Sequence, residues 1–259
     1  MKIRKPMVAA NWKMHKTIEE AVSFTRGLQA ELGGAAEDRE VVISPTFTAL
    51  SSVRAAMNLQ NIKLAAQNCH WEDEGAYTGE VSCVMLCDAG CDYVIVGHSE
   101  RRHIFGETDE TVRRKVGAVF RHGLVPIICI GEVLEEREAG KTVEVVGSQL
   151  EEAVRGLSSE QAGRLVIAYE PVWAIGTGKT ATPDQAQEVH AFVRERYADL
   201  FDKNVANELR ILYGGSVKPD NADDLMSRPD VDGFLVGGAS LEVSSFKRIV
   251  QCQIPGGTD

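Results

Sequence analysis

The sequence predicts an α/β fold, a closed (β/α)8 TIM barrel of eight parallel strands with eight surrounding helices, forming a single catalytic domain over residues 1–259. Three observations lead there. Eight short β-like runs recur along the chain; they are apolar throughout rather than alternating; and helical patterns lie between them. Strands without alternation are buried on both faces, and parallel neighbours need helical crossovers. Eight βαβ repeats of roughly 30 residues fill the chain with no Pro/Ser/Gly-rich linker. A doubly wound open sheet is the main alternative, but it usually has fewer strands and gives no reason for the count to stop at eight.

Taken in order, the first run is MVAANW from Met7. A helix follows over TIEEAVSFTRGLQAEL, where Thr17 and Glu20 have capping-box spacing and Ile18, Ala21, Val22 and Leu28 make an apolar stripe. EVVIS from Glu40 and IKLAAQN from Ile62 are the second and third runs. Asn68 to Ser82, NCHWEDEGAYTGEVS, is then a polar connection longer than the ~2 to 6 residues usual for such loops. YVIVG from Tyr93, LVPIICIG from Leu124 and LVIAY from Leu165 follow. The helix TPDQAQEVHAFVRERY comes next, with Thr182 as cap, Pro183 at the first helical position and Gln185 completing the box. LRILYGG from Leu209 and GFLVGG from Gly233 complete the set.

Composition narrows the function. A formal charge of −10, with no Lys/Arg-rich face, opposes nucleic acid binding, so an anionic substrate must meet local positive groups. No apolar run approaches the ~20 residues that span a bilayer, which argues against a membrane role. The apolar patch near the N-terminus is too short for a secretory signal, and six cysteines then read as reduced thiols of a cytoplasmic protein. Cys83, Cys87 and Cys91 are four apart but fit no common zinc spacing. They read as small buried hydrophobes, with Cys91 where a strand begins.

In such a barrel the C-terminal ends of the strands build the site, so the polar residues ending these runs are the candidates. They are Asn11-Trp12-Lys13 after run one, His98-Ser99-Glu100 after run four, Glu170 after run six, and the Gly-Gly turns Gly214-Gly215-Ser216 and Gly237-Gly238 after runs seven and eight. Singly each has a plain reading: a solvated lysine, a hydrogen-bonded structural histidine, turn glycines. Glu170 resists it, because a carboxylate between LVIAY and Pro171 sits at the edge of an apolar core, where desolvation raises its pKa. The Gly-Gly turns let backbone N–H groups approach a ligand where barrels often bind phosphate, and Ser216 is placed to open a short helix pointing at the anion. Gly178-Lys179-Thr180 imitates a P-loop, but Trp173 stands where its first glycine belongs. Pro171 to Lys179 reads instead as a lid with hinges at Pro171 and at Gly176-Thr177-Gly178.

NWKM from Asn11, GHSERR from Gly97, AYEPVWAIGTGKTAT from Ala168, YGGSVKPDN from Tyr213 and VGGASL from Val236 together resemble the triosephosphate isomerase family, in order and across nearly the whole chain. The departures, Ala10 for the family's usual Gly and His15 for its common Asn, do not touch the chemistry. The resemblance implies interconversion of D-glyceraldehyde 3-phosphate and dihydroxyacetone phosphate, in glycolysis and gluconeogenesis. It implies Glu170 as base, neutral His98 as hydrogen-bond donor to the carbonyl oxygen, Lys13 as fixed positive charge, Asn11 holding Lys13 and substrate, and Glu100 as a second carboxylate paired with Lys13 and taking a lesser catalytic share. Gly176, Ser216, Gly237 and Gly238 are implied to bind phosphate, with no metal and no organic cofactor. It further implies a homodimer through the Asn68 to Ser82 loop, with Thr78 reaching the partner's Asn11 and Lys13. The rivals are an isomerase of a longer sugar phosphate, a P-loop nucleotidase and a non-catalytic binding protein.

Overall fold

Apolar runs of four to six residues become strands here because both faces of each are covered, one by the opposite wall of the sheet and one by helices. The computed structural model describes residues 4–33, 36–175 and 180–255. Its strands are β1 (Met7–Asn11), β2 (Glu40–Ser44), β3 (Ile62–Ala66), β4 (Tyr93–Val96), β5 (Val125–Ile130), β6 (Val166–Tyr169), β7 (Arg210–Tyr213) and β8 (Gly233–Val236). Each pairs in parallel with the next, and β8 returns to β1 with Met7 opposite Gly233 and Ala10 opposite Val236, closing the barrel.

Alternation divides the residues between two cores. Met7, Ala9, Val42, Ala65, Ile95, Ile127, Cys129, Val166, Ala168, Leu212 and Leu235 fill the interior, where small residues suit the closed sheet. Their neighbours, among them Val8, Ala10, Val41, Ile43, Val94 and Ile167, pack outward against the helices. This parity carries to the site. Asn11 continues the inward series Met7, Ala9, and Glu170 continues Val166, Ala168.

Helix Ile18–Leu32 has the expected Thr17 and Glu20 capping box, but its buried face is Ala21, Phe24, Leu28 and Leu32. Ile18, in the first turn, is exposed, and Val22 is half-buried. Helix Pro183–Leu200 is capped by Thr182, with Gln185 closing the box. Of the three spaced cysteines, Cys83 and Cys91 are buried, whereas Cys87 is exposed on helix Cys83–Asp88, and Cys91 lies just before β4.

The N-terminal end of the barrel is closed by polar groups. The Tyr93 hydroxyl donates to Glu40 at 2.6 Å, Arg210 donates to the same carboxylate at 2.9 Å, and fully buried Asp232 accepts from Arg4 and Arg194, each at 2.7 Å. The C-terminal end is therefore the open one. Among the described residues no helix is long and apolar enough to cross a membrane, and no group of His, Cys, Asp and Glu is arranged to hold a metal ion.

Candidate active site

A cavity of about 320 Å³ opens at the C-terminal ends of the strands, lined by Asn11, Lys13, His98, Glu170, Ser216, Gly237 and Gly238, together with Gly214, Gly215, Leu235, Ile175 and Lys218. The structure thus gathers residues that lie as far apart as 11 and 238 in the chain. Glu100 borders the adjoining cavity of about 260 Å³, which shares Asn11, Lys13 and His98. Gly176 lies outside the described residues, as do Thr177, Gly178 and Lys179 of the expected lid.

Glu170 is placed by β6. Its N–H donates to Ile130 O at 2.8 Å, and the pairing of β5 and β6 continues past Pro171, where the Val172 N–H donates to Glu132 O at 3.1 Å. The side chain is 2% exposed. One carboxylate oxygen accepts the Ser99 N–H at 2.9 Å, and the other lies 3.0 Å from His98 Nε2. Burial, the largest influence, pushes the carboxyl upward, but His98, the Ser99 N–H and Lys13 outweigh it, and the net direction is below the ordinary carboxylate range. The upward shift expected from burial alone is thus reversed by the partners that burial brings with it.

His98 turns into the cavity through a local break in β4. Tyr93 and Ile95 face the barrel interior, and Gly97 then adopts φ +70°, where a Cβ would approach Val112 and the Cys129 carbonyl. The imidazole caps helix Ser99–His103 by accepting the Glu100 N–H at Nδ1, 3.2 Å away, which leaves Nε2 as donor toward Glu170. Two sets of forces oppose each other here. Burial, the largest single influence, disfavours the imidazolium, whereas the Glu170 and Glu100 carboxylates favour it, and the net direction is upward. The neutral imidazole expected from the sequence therefore matches the Nδ1 geometry and is opposed by the carboxylate beside Nε2.

Lys13 sits at φ +53°, a left-handed conformation that costs a side-chain-bearing residue roughly 1–2 kcal/mol. Three contacts hold it there. Its N–H donates to the Asn11 side-chain oxygen at 3.1 Å, its carbonyl accepts from Gln67 at 2.9 Å, and its ammonium lies 2.6 Å from a Glu100 oxygen. Gln67 also donates to Ser44 O at 2.9 Å, tying the ends of β1, β2 and β3 together. Sequence reasoning passed over Gln67, although a polar residue ending IKLAAQN satisfies the same rule that singled out Glu170. Ser99 stood among the polar residues ending run four but was given no role, because its contribution is a backbone N–H, which leaves no signal in residue type.

The glycines are accounted for by close approach. A Cβ on Gly214 would stand 2.9 Å from Glu170 Cγ, and one on Gly215 would stand 2.3 Å from the Tyr213 hydroxyl. Ser216 does not open a helix. The chain runs irregularly to helix Ala222–Met226, with the Asn221 side chain bridging Ser216 O and the Lys218 N–H. The helical turn at this rim is instead the 3-10 turn Gly238–Ser240, entered through Gly237. At the root of the expected lid, the 3-10 turn Val172–Ala174 places Trp173 Nε1 3.0 Å from a Glu132 oxygen, with Arg137 4.8 Å over the indole.

The assembled site has a buried carboxylate beside an imidazole N–H, an ammonium at one wall, and accessible backbone at the Gly237-Gly238 turn. Such a set can take a proton from a carbon acid, stabilise the oxyanion formed, and hold an anion with backbone N–H groups. A family model described as triosephosphate isomerase matches residues 6–253. Similar curated proteins include the triosephosphate isomerases of Citrifermentans bemidjiense, 56% identical over 249 residues, and Moorella thermoacetica, 55% identical over 248. The matches cover 96% of this chain in both cases, and 99% and 98% of those proteins respectively. The triosephosphate isomerase of Pelobacter propionicus is 54% identical over 248 residues, again 96% of this chain and 98% of that protein.

Proposed function

The chain belongs to the triosephosphate isomerase family, and from that premise we propose that residues 1–259 act as one catalytic unit that interconverts D-glyceraldehyde 3-phosphate and dihydroxyacetone phosphate in the cytoplasm. The observation that carries the chemistry is the apposition of Glu170 and His98 at 3.0 Å, both buried, in a cavity also lined by glycine turns.

Both Glu170 oxygens are engaged by the protein, so the carboxylate acts as base only after substrate draws it off the Ser99 N–H and His98. Released from those donors in a water-poor site, it becomes more basic, which is the direction proton abstraction needs. It removes a proton from the carbon next to the carbonyl, and negative charge develops on the carbonyl oxygen. His98 donates Nε2–H to that oxygen, the role that Nδ1, turned to the Glu100 N–H, leaves open. Lys13 supplies positive charge at the same wall, positioned by Asn11 and by its pairing with Glu100. The proton of the neighbouring hydroxyl passes to the former carbonyl oxygen, and Glu170, now protonated, returns the carbon-bound proton to the neighbouring carbon. Ser216, Gly237 and Gly238 hold the phosphate through backbone N–H groups, joined by Gly176 from a lid formed by Pro171 to Lys179. The lid keeps water from the enediolate, which otherwise expels phosphate.

A homodimer through the Asn68 to Ser82 loop completes the proposal. Thr78 and Tyr77 are exposed on this loop. Met14, 92% exposed, and Phe105, 67% exposed, line the cavity beside Lys13, which gives a second copy's loop an apolar seat next to the ammonium.

The test of the activity is conversion of D-glyceraldehyde 3-phosphate by the purified protein, measured beside Glu170→Asp. Shortening the side chain retracts the carboxylate by about 1 Å, which is expected to lower kcat on the order of 10²-fold. Unchanged turnover removes Glu170 from the mechanism, and no conversion by the unaltered protein removes the assignment.

A further inference from the structure

Lys13 and Lys16 are the two residues other than glycine that hold a positive φ among the described residues, at +53° and +72°. A left-handed residue that bears a side chain persists only where its surroundings over-determine it, and such residues gather at functional sites. Lys13 belongs to the cavity, whereas Lys16 lines neither that cavity nor its neighbour. The Lys16 ammonium donates to Leu241 O at 2.8 Å and stands 4.8 Å from the ring centre of Phe24 and 5.5 Å from that of Trp12. We infer that Lys16 is a positioning residue, which tethers the chain after β1 to the turn after β8 and so sets the span between the Lys13 ammonium and the backbone N–H groups of Gly237 and Gly238. The inference deepens the isomerase reading and rests on it.

Both ends of the tether are continuous with the cavity wall. Leu241 ends the 3-10 turn Gly238–Ser240: its N–H donates to Gly238 O at 3.1 Å, and the Ser240 N–H donates to Gly237 O at 2.8 Å. The Ser240 hydroxyl lies 2.7 Å from the same Gly237 O and 3.0 Å from Val236 O, so the turn is one piece from the end of β8 to Leu241. At the other end, Trp12 lies between Asn11 and Lys13, wholly buried, with its N–H donating to Ser44 O at 3.2 Å. Its indole meets Phe24 edge to face at 5.0 Å, and Phe24 lies 6.4 Å from Phe246 on helix Val243–Val250, which follows the turn. The ring faces attract the ammonium, and the Leu241 carbonyl gives it a direction.

A lysine that only capped a carbonyl would not need a left-handed backbone, which glycine adopts at no steric cost. The two segments also meet inside the cavity, where a Cβ on Gly237 would stand 3.5 Å from Lys13 Cε. That inner meeting is van der Waals contact, and the outer one at Lys16 is a directed hydrogen bond that fixes the spacing. A triose phosphate with its carbonyl at Lys13 and its phosphate at the glycine turn touches both segments, so a change of span misplaces one end of it. Misplacement lowers the rate without altering any group that touches the substrate.

The experiment compares the unaltered protein with Lys16→Met, which keeps an apolar stem against Trp12 and Phe24 but has no donor, and with Lys16→Arg, which restores donor and charge. Each is assayed on D-glyceraldehyde 3-phosphate and on D-glyceraldehyde, a slower substrate that lacks the phosphate and makes no use of the span. Lys16→Met should lower kcat/KM for the phosphorylated substrate on the order of 10-fold and leave turnover of D-glyceraldehyde within about 2-fold, and Lys16→Arg should recover most of the loss. Lys16→Gly, which suits the left-handed φ, should lose activity as Lys16→Met does, and it serves the same comparison if Lys16→Met does not fold. Equal losses on both substrates would overturn the proposal, because they would mean a general loosening around Lys13. Full activity of Lys16→Met or Lys16→Gly would overturn it too, as would Lys16→Arg no more active than Lys16→Met. No conversion of D-glyceraldehyde 3-phosphate by the unaltered protein would instead overturn the isomerase reading itself.

Discussion

Two contacts on one carboxylate decide the behaviour of the site at the scale of single residues. Glu170 gains the Ser99 N–H and His98 Nε2, so its charge is stabilised, and the proposed mechanism requires substrate to release both contacts. The pH dependence follows from the two directions. The raised folded value of His98 means that its share of stability is complete below the ordinary histidine range and is lost as pH rises through that raised value. The lowered folded value of Glu170 means that its share is present above the ordinary carboxylate range and is lost as pH falls through the lowered value. Since Glu170 carries most of the upward pull on His98, Glu170→Gln should lower the imidazole's titration midpoint, followed by nitrogen NMR. The stability difference between the two proteins in urea should shrink as pH rises past the midpoint seen in the unaltered protein. An unmoved midpoint would show that Glu170 does not set the protonation of His98. Lys13 makes the same point from the backbone: its left-handed φ persists because Asn11, Gln67 and Glu100 each hold a different part of it.

Elements explain why so much of the site was legible in the sequence and why some of it was not. β6 places Glu170 because inward residues alternate, Val166 and Ala168 and then Glu170, a regularity the sequence displays openly. The rule also holds for Asn11, but it fails for His98, which lies on the outward parity of β4 and enters the cavity because Gly97 reverses the chain. Its place among the polar residues that end run four, and not the alternation, singled out His98, and the motif resemblance gave it a role. Ser216 shows the opposite failure. A serine after two glycines has the composition of a helix start, yet the Asn221 side chain supplies the local hydrogen bonds, and the helix waits until Ala222. At the end of β7, Gly214 is a spacing device, since a Cβ there meets Glu170 Cγ at 2.9 Å. Gly214→Ala should therefore displace the carboxylate, lowering kcat on the order of 10²-fold while thermal unfolding changes little. Loss of folding in place of loss of turnover would make the glycine a requirement of the barrel and not of the site.

Across the whole molecule the two ends of the barrel divide the work. Ion pairs around half-buried Glu40 and buried Asp232 close the N-terminal end, and the C-terminal end keeps an open cavity whose wall at Lys13 adjoins a second, apolar-edged one. If a second copy fills that neighbouring cavity, deleting Gly75 to Gly79 should give a monomer by light scattering with low activity, since Asn11 and Lys13 lose the contacts that order them. A fully active monomer would separate assembly from catalysis. The central claim, that Glu170 carries a proton between adjacent carbons of a triose phosphate, is tested most directly by running the reaction in deuterium oxide and reading the product by proton NMR. A carboxylate that shares its proton with solvent during the enediolate's lifetime should leave deuterium on the reacting carbon of part of the dihydroxyacetone phosphate formed by the unaltered protein. Glu170→Gln should form neither product nor labelled substrate. Deuterium incorporation by Glu170→Gln at the rate of the unaltered protein would contradict the account, because another group would then be moving the proton.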